Sequence, residues 1–336
     1  MTYMRCKAAF LTAPKKFEIR EIELPPIEPD QMLVKVAGCG VCLSEMSTYL
    51  GTAPLAPYPT RLGHEPAGIV EEVGANVEDY EPGDRVTGFY FTPMIGSFAE
   101  YSIVDFKTPQ VMEGWKIYPT LVKVPDEIPL EYALGEPFTC TVNIARACEP
   151  RFGDYAFIVG CGFMGLSVIA GIAQRGLKEL IACDLMDSRL ELAKELGATV
   201  TLNPKNVDVV KEVMAITNDR GVDVSIEGTG HSPGMQLASK VCKVGQALLV
   251  VFGWHMTPET YNFYDWIKGQ RIYSAHPPFS NFELQENLER VMWAIKKGIY
   301  PVEKLITHKF KLEDIGKAFE MAHSRSDEYI KGVVMP

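Results

Sequence analysis

The chain has 336 residues and no apolar run near the ~20 residues that a bilayer-spanning helix needs. Its opening, Met1-Thr2-Tyr3-Met4-Arg5-Cys6, has no apolar signal core. Basic clusters are also missing. Against 33 Lys+Arg stand 43 Asp+Glu, a net charge of -10, which argues against nucleic acid and anionic membrane surfaces as partners. Cysteine is scarce, with 8 residues scattered at 6, 39, 42, 140, 148, 161, 183 and 242. That is too sparse for a disulfide framework in a chain this size. Internal repeats and low-complexity tracts are absent. Together these absences lead us to expect a soluble, cytoplasmic protein. What is present is 47% hydrophobic residues, enough core for two domains of ~150 residues each.

The first ~130 residues read as mostly β. Ala8 to Leu24 predicts a strand pair around Pro14-Lys15-Lys16, and Met32–Val36, Gly68–Val73, Asp84–Phe91 and Phe98–Val104 predict short strands punctuated by Gly and Pro. From about Tyr132 the texture changes. Strand patterns at Tyr155–Gly160, Glu179–Asp184, Val222–Glu227 and Gln246–Phe252 alternate with helix patterns at Gly165–Arg175 and Ser188–Leu196. Such alternation indicates a parallel sheet covered on both faces. Beyond Pro278 follow a helix at Leu284–Lys297, a strand at Ile306–Phe310, a helix at Leu312–Ala322 and a strand at Ile330–Met335.

Gly160-Cys161-Gly162-Phe163-Met164-Gly165 spells G-x-G-x-x-G after an apolar strand and at the start of a helix. In that context the glycines make the tight turn and let a pyrophosphate approach the helix N-terminus. Asp184 ends the next strand about 24 residues after Gly160. A carboxylate there accepts hydrogen bonds from a ribose diol and repels a 2′-phosphate, so NAD is favoured over NADP. The plain alternative is a Gly-rich turn with an exposed Asp.

Cys42, His64, Glu65 and Glu136 make up a candidate metal set. Thiolate, imidazole and carboxylate are the mixed donors that suit Zn²⁺. Each has a plainer reading. Cys39 and Cys42 form a C-x-x-C that could be a redox pair, half a zinc knuckle, or two buried apolar cysteines, and no second C-x-x-C occurs. His64 could be an ordinary core or surface histidine, and Glu136, before Pro137, could cap a helix. Spacing alone does not bring them together.

Gly63-His64-Glu65-Pro66-Ala67-Gly68, continuing through Gly74 and Val77, resembles the zinc signature of medium-chain alcohol and polyol dehydrogenases. Gly40-Val41-Cys42-Leu43-Ser44-Glu45 is similar to the family's Cys-bearing loop. The glycine loop, Val222-Asp223-Val224 leading to Gly228-Thr229-Gly230, and Ile330-Lys331-Gly332-Val333 also fit, so the likeness covers nearly the whole chain. The resemblance implies an α/β chain with a GroES-like β domain plus a Rossmann doubly wound parallel sheet. It assigns 1–136 and 281–336 to the GroES-like catalytic domain and 137–280 to the Rossmann NAD-binding domain. Cys42, His64 and Glu136 become zinc ligands, with Cys140 competing for the place of Glu136. Glu65 becomes an alternate ligand or a group just behind the metal, and Ser44 the hydroxyl on the substrate oxygen. Gly160, Gly162, Phe163, Met164, Gly165, Asp184, Arg189, Gly228, Thr229 and Phe252 become the nucleotide contacts.

The chain departs from the family pattern in places. Val86 to Phe98 contains no cysteine, so the four-cysteine lobe for a structural zinc is missing and one catalytic zinc per subunit is expected. Ser47 stands where a relay histidine is usual, Leu43 where some relatives are basic, and Glu45 where Asp is usual. Asp105 to Pro119, with Trp115 and Tyr118, is longer than usual and shapes a pocket, a subunit contact or a plain loop. The implied function is zinc-dependent, NAD-linked oxidation of a secondary alcohol of a polyol, sugar or cyclitol, with Glu65 and Glu136 backing the proton path. L-threonine or a simple alcohol is the alternative substrate. A zinc-free quinone reductase-like enzyme and a non-catalytic nucleotide-binding protein are the rival classes. Tyr49, Phe89, Phe91, Trp254 and His276 are pocket candidates, although aromatics more often pack in cores. A homodimer or homotetramer joined near Arg271-Ile272-Tyr273-Ser274 is expected.

Overall fold

The chain enters a hairpin in which β1 (Met4–Ala13) and β2 (Lys16–Leu24) pair antiparallel. They reverse at Pro14 and Lys15, whose φ of 60° is left-handed. The structure is a computed structural model and describes residues 4–54, 56–90, 96–112, 115–255, 258–266, 268–275 and 281–336. The hairpin is followed by β3 (Gln31–Gly40), the short helix α1 (Met46–Leu50), β4 (Pro66–Val73), β5 (Arg85–Phe89), β6 (Tyr101–Asp105), β7 (Gln110–Met112), β8 (Trp115–Ile117) and β9 (Thr120–Lys123). Next come α2 (Gly135–Ala147), β10 (Tyr155–Val159), α3 (Phe163–Ile172), β11 (Glu179–Cys183), α4 (Asp187–Glu195), β12 (Val200–Leu202), α5 (Val209–Ile216), β13 (Val224–Glu227), α6 (Ser232–Lys240), β14 (Leu248–Val251) and β15 (Arg271–Ser274). The chain ends with α7 (Asn281–Lys296), α8 (Val302–Leu305), β16 (His308–Lys311), α9 (Ile315–Ser324) and β17 (Gly332–Met335).

Internal contacts divide the chain into two units, Met1–Thr139 with Pro278–Pro336, and Cys140–Pro277. The first is built on a seven-stranded sheet ordered β16-β17-β3-β4-β5-β9, with β6 also on β3. The strand β3 is long enough to serve two neighbours on one side. Its residues Gln31–Lys35 pair with β6, while Cys39 and Gly40 pair with Val334 and Val333 of β17. Phe98, Phe319, Leu11 and Tyr49 are buried in one apolar cluster with Cys39, Val41 and Val334. That cluster fixes the end of β3, from which the candidate site starts.

The second unit is a six-stranded, all-parallel sheet ordered β12-β11-β10-β13-β14-β15. A parallel sheet needs both faces covered, so its strands read as continuous apolar runs. All five residues of β10 are buried, and β11 has only Glu179 less than fully buried. This is the Rossmann-type doubly wound sheet expected from the sequence. Some boundaries shift. The expected helix from Leu312 starts instead with a 3-10 turn over Leu312–Asp314, and the α-helix runs Ile315–Ser324. The stretch 105–119 contains the β7–β8 hairpin. Among the described residues, no helix is long and apolar enough to cross a membrane.

Candidate functional site

Backbone pairing at the end of β3 gathers three remote segments. Gly40 N donates to Glu65 O at 3.0 Å, and Val41 N donates to Gly332 O at 2.9 Å. Cys42 therefore leaves β3 beside His64-Glu65 on one hand and Lys331-Gly332 on the other. Cys42 Sγ, a His64 ring nitrogen and a Glu65 carboxylate oxygen all lie within 4.8 Å of one another. Glu136 and Cys140, both on α2, stand outside that group. Gly40 is required here by space, because a Cβ on it would stand 2.0 Å from Glu65 Oε2.

Glu45 orients the histidine. Its buried carboxylate accepts from Gly63 N at 2.7 Å and pairs through the same oxygen with His64 Nδ1 at 3.0 Å. Nδ1 is thereby committed, which assigns any metal bond to Nε2. Burial pushes the His64 imidazole down, but the charges of Glu45 and Cys42 outweigh it and hold the group well above its usual range. Ser44 Oγ donates to Cys42 Sγ at 3.2 Å.

Glu136 lies in the first turn of α2 and is 7% exposed. A single hydroxyl sets its height: Thr87 Oγ1 donates to Pro66 O at 2.9 Å and accepts from Gly135 N at 2.9 Å. The start of α2 is thus tied to the strand entry that carries His64 and Glu65. Burial raises the Glu136 carboxyl, His64 opposes that shift, and Glu65 adds to it. Opposite the cluster, Lys331 is 5% exposed and its Nζ lies 2.7 Å from Glu65 Oε1 and 2.6 Å from Oε2. Oε2 is in ionic contact with that ammonium yet accepts no aligned hydrogen bond. Cys39 is wholly buried and packed in the apolar cluster, burial raises its thiol, and all 8 cysteines are free. The packing reading therefore fits Cys39 alone, while Cys42 is partly exposed and belongs to the donor cluster.

In the nucleotide unit, Gly162 caps α3 and the glycine turn joins β10 to that helix. A Cβ on Gly165 would stand 1.9 Å from Gly160 O, so only glycine lets the helix approach the strand. Asp184 follows β11, its Oδ2 accepting from Cys161 N at 2.7 Å and its Oδ1 from Met186 N at 3.0 Å. Phe163 and Arg189 are buried, and Met164 is half-buried. Gly228 and Thr229 follow β13, and a Cβ on Gly228 would meet the ring of Phe252. The expected nucleotide residues of the turn, with Asp184, Gly228, Thr229 and Phe252, therefore gather at the carboxyl ends of β10, β11, β13 and β14. Glu227, fully buried, ties these ends. Its Oε1 accepts from Thr229 N at 2.6 Å and Gly230 N at 3.0 Å, and Oε2 pairs with His255 Nε2 at 3.2 Å.

Of the pocket candidates, Tyr49 is a core residue stacked on Phe17 and tilted against Phe319, Phe89 is buried, and Trp254 is 53% exposed. Phe91 and His276 lie outside the described residues. Sequence reading gave no role to Thr87, Glu227 or His255. It noted Glu45 and Lys331 only as motif positions. A carboxylate inside the Cys loop was the one available signal for Glu45.

Comparison with known proteins follows both units. A model described as an alcohol dehydrogenase GroES-like domain matches residues 28–113, and one described as a zinc-binding dehydrogenase matches residues 164–285. The chain is 30% identical to the (R,R)-butanediol dehydrogenase of Bacillus subtilis (strain 168), covering 98% of this chain and 99% of that one. It is 29% identical to the sorbitol dehydrogenase of the same organism, covering 98% and 97%. The crystal structure of 2R,3R-butanediol dehydrogenase from Bacillus subtilis superposes with a TM-score of 0.83 at 28% identity, covering 98% and 99%.

Proposed function

Given that the chain belongs to the zinc-type medium-chain alcohol dehydrogenase family, whose members act on alcohols as oxidoreductases, we propose that it reversibly oxidises a secondary alcohol of a polyol, sugar or cyclitol to the ketone, with NAD as acceptor. The observation that carries this reading is the convergence of Cys42 Sγ, His64 nitrogen and Glu65 oxygen within 4.8 Å. The donor set fits Zn²⁺: thiolate, imidazole and carboxylate, with Glu65 Oε2 buried and lacking an aligned hydrogen bond. Cys42, His64 and Glu136 would hold the metal, with Glu65 as alternate donor. Bound there, zinc supplies a Lewis acid that makes the alcohol proton easier to remove.

The chain's own residues do the rest. Glu45 fixes the His64 ring, and Thr87 fixes the start of α2 that bears Glu136. Ser44 Oγ, beside Cys42 Sγ, holds the substrate oxygen and takes its proton. With Ser47 in place of a histidine relay, a water backed by Glu65 or Glu136 receives the proton that Ser44 passes on. In the nucleotide unit the glycine turn and the N-terminus of α3 receive the pyrophosphate, and Phe163, Met164, Arg189, Gly228, Thr229 and Phe252 contact the rest. Asp184, at the carboxyl end of β11, supports NAD over NADP.

The functional boundaries in this reading are 1–136 with 281–336 for catalysis and 137–280 for the nucleotide. We also place the protein in the cytoplasm as a homodimer or homotetramer. Eight free cysteines suit a reducing compartment. All four residues of β15 are exposed, and among the described residues the strand pairs on one side only, which suits a subunit contact.

The experiment is an NAD-reduction screen across polyols, sugars, inositols, threonine and simple alcohols, run on metal-loaded and metal-stripped protein. Activity is expected on a polyol-type secondary alcohol and should vanish on stripping. Cys42→Ser should abolish NAD reduction while NAD still binds. Full activity in the stripped protein would refute the zinc role.

A further inference from the structure

Lys331 is a buried ammonium to which the chemistry above gives no part. Its backbone is fixed in the sheet: Thr307 N donates to Lys331 O at 3.0 Å, and Val41 N donates to the next carbonyl, that of Gly332. Its Nζ reaches both oxygens of Glu65, at 2.7 and 2.6 Å, where Glu65 has no exposure at all. The groups that act on it are acidic or can become so: Glu65, Cys42 and Tyr329, and it in turn acts on Glu136. A buried charge persists only with a partner, and here the partner is a carboxylate that also belongs to the donor cluster.

We propose that Lys331 stands in for the metal on Glu65. With the metal absent, it neutralises that carboxylate and lets the site keep its shape. With the metal present, it competes for the same oxygens and keeps Glu65 from becoming a permanent ligand, so that one position stays open for the substrate oxygen. Lys331 is thus a positioning residue that acts through Glu65. The proposal rests on the reading of Cys42, His64 and Glu65 as metal donors.

Zinc affinity, measured on the full chain by competition with a chromophoric chelator, tests it. A ligand that competes with another for one group must be weakened by it, and the coupling is reciprocal. Lys331→Met and Lys331→Gln should therefore bind zinc at least about tenfold tighter than the wild type, a coupling of ordinary size between groups in contact. Metal-free Lys331→Met should melt below the metal-free wild type, and zinc should erase the difference. In a Glu65→Gln background the Lys331 substitutions should change zinc affinity by less than about twofold, since the shared carboxylate is gone. Unchanged or weaker affinity in Lys331→Gln overturns the proposal, as does an equal gain in the Glu65→Gln background. Lys331→Gln keeps a hydrogen-bond donor for Glu65, so the comparison survives if the Met variant fails to fold. Cys42→Ser separates the two ideas: wild-type zinc affinity in that variant overturns the donor reading itself, whatever Lys331 does.

Discussion

Replacing Glu45 with Ala removes two bonds at once, the one from Gly63 N and the one to His64 Nδ1. The imidazole would then be free to rotate, and a ligand without its orienting partner typically loses 10- to 100-fold in metal affinity, so a loss of roughly that size is expected. Chelator competition measures it, with far-UV circular dichroism unchanged because Glu45 caps no helix through its side chain. Cys42 and His64 were legible from local motif, since each sits in a short run whose spacing is distinctive. Glu136 came only from the family resemblance, and the group within 4.8 Å is Cys42, His64 and Glu65. Sequence distance counts residues, whereas the donors are gathered by backbone pairing, as where Gly40 N donates to Glu65 O at the end of β3. Lys331 was out of reach for the same reason, because only the pairing of β17 with β3 brings it to Glu65.

At the scale of elements, the hydroxyl of Thr87 joins β5, the entry to β4 and the start of α2. Thr87→Val keeps the shape but leaves Pro66 O and Gly135 N without this partner in a fully buried place. A buried group left unsatisfied costs about 1–3 kcal/mol. Urea unfolding should show a loss of unfolding free energy of that order, read as a lower midpoint, and a midpoint equal to wild type would mean that α2 is anchored elsewhere. The four central parallel strands were readable because burial on both faces demands unbroken apolar runs, as in Tyr155–Val159, whereas the edge strands β12 and β15 carry no such run. The short strands β7 to β9 were not, since three or four residues carry too little periodicity to register. Nor was α5 picked out, although Asp208 caps it by accepting from Lys211 N.

For the whole molecule, the balance of 43 acidic against 33 basic residues makes acid the informative perturbation. Asp223 dominates among the carboxylates held low, since its side chain is 8% exposed and paired with both Lys243 and Arg220, with Tyr155 N as a further donor. Burial raises its carboxyl, but the bonds from Lys243 and Tyr155 outweigh that and lower it. A carboxyl lower in the folded state binds fewer protons there than in the unfolded chain. Its stabilisation is therefore complete above the unfolded value of about 3.9 and drains away as pH falls through the lowered folded value. Asp30, Asp84 and Asp105 shift the same way but are more exposed and matter less. The share of stability that Asp223 supplies, read as the difference in urea midpoint between wild type and Asp223→Asn, should hold steady above pH about 5 and shrink below about 4. The pairing of β17 with β3 carries one more consequence, for biosynthesis. A ribosome delivers Cys42, His64 and Glu65 early, then the entire nucleotide unit, and only then Lys331 and its strand. A nascent chain therefore carries Cys42, His64 and Glu65 before Lys331 exists, so Glu65 can gain its buried cation only after the nucleotide unit has been made.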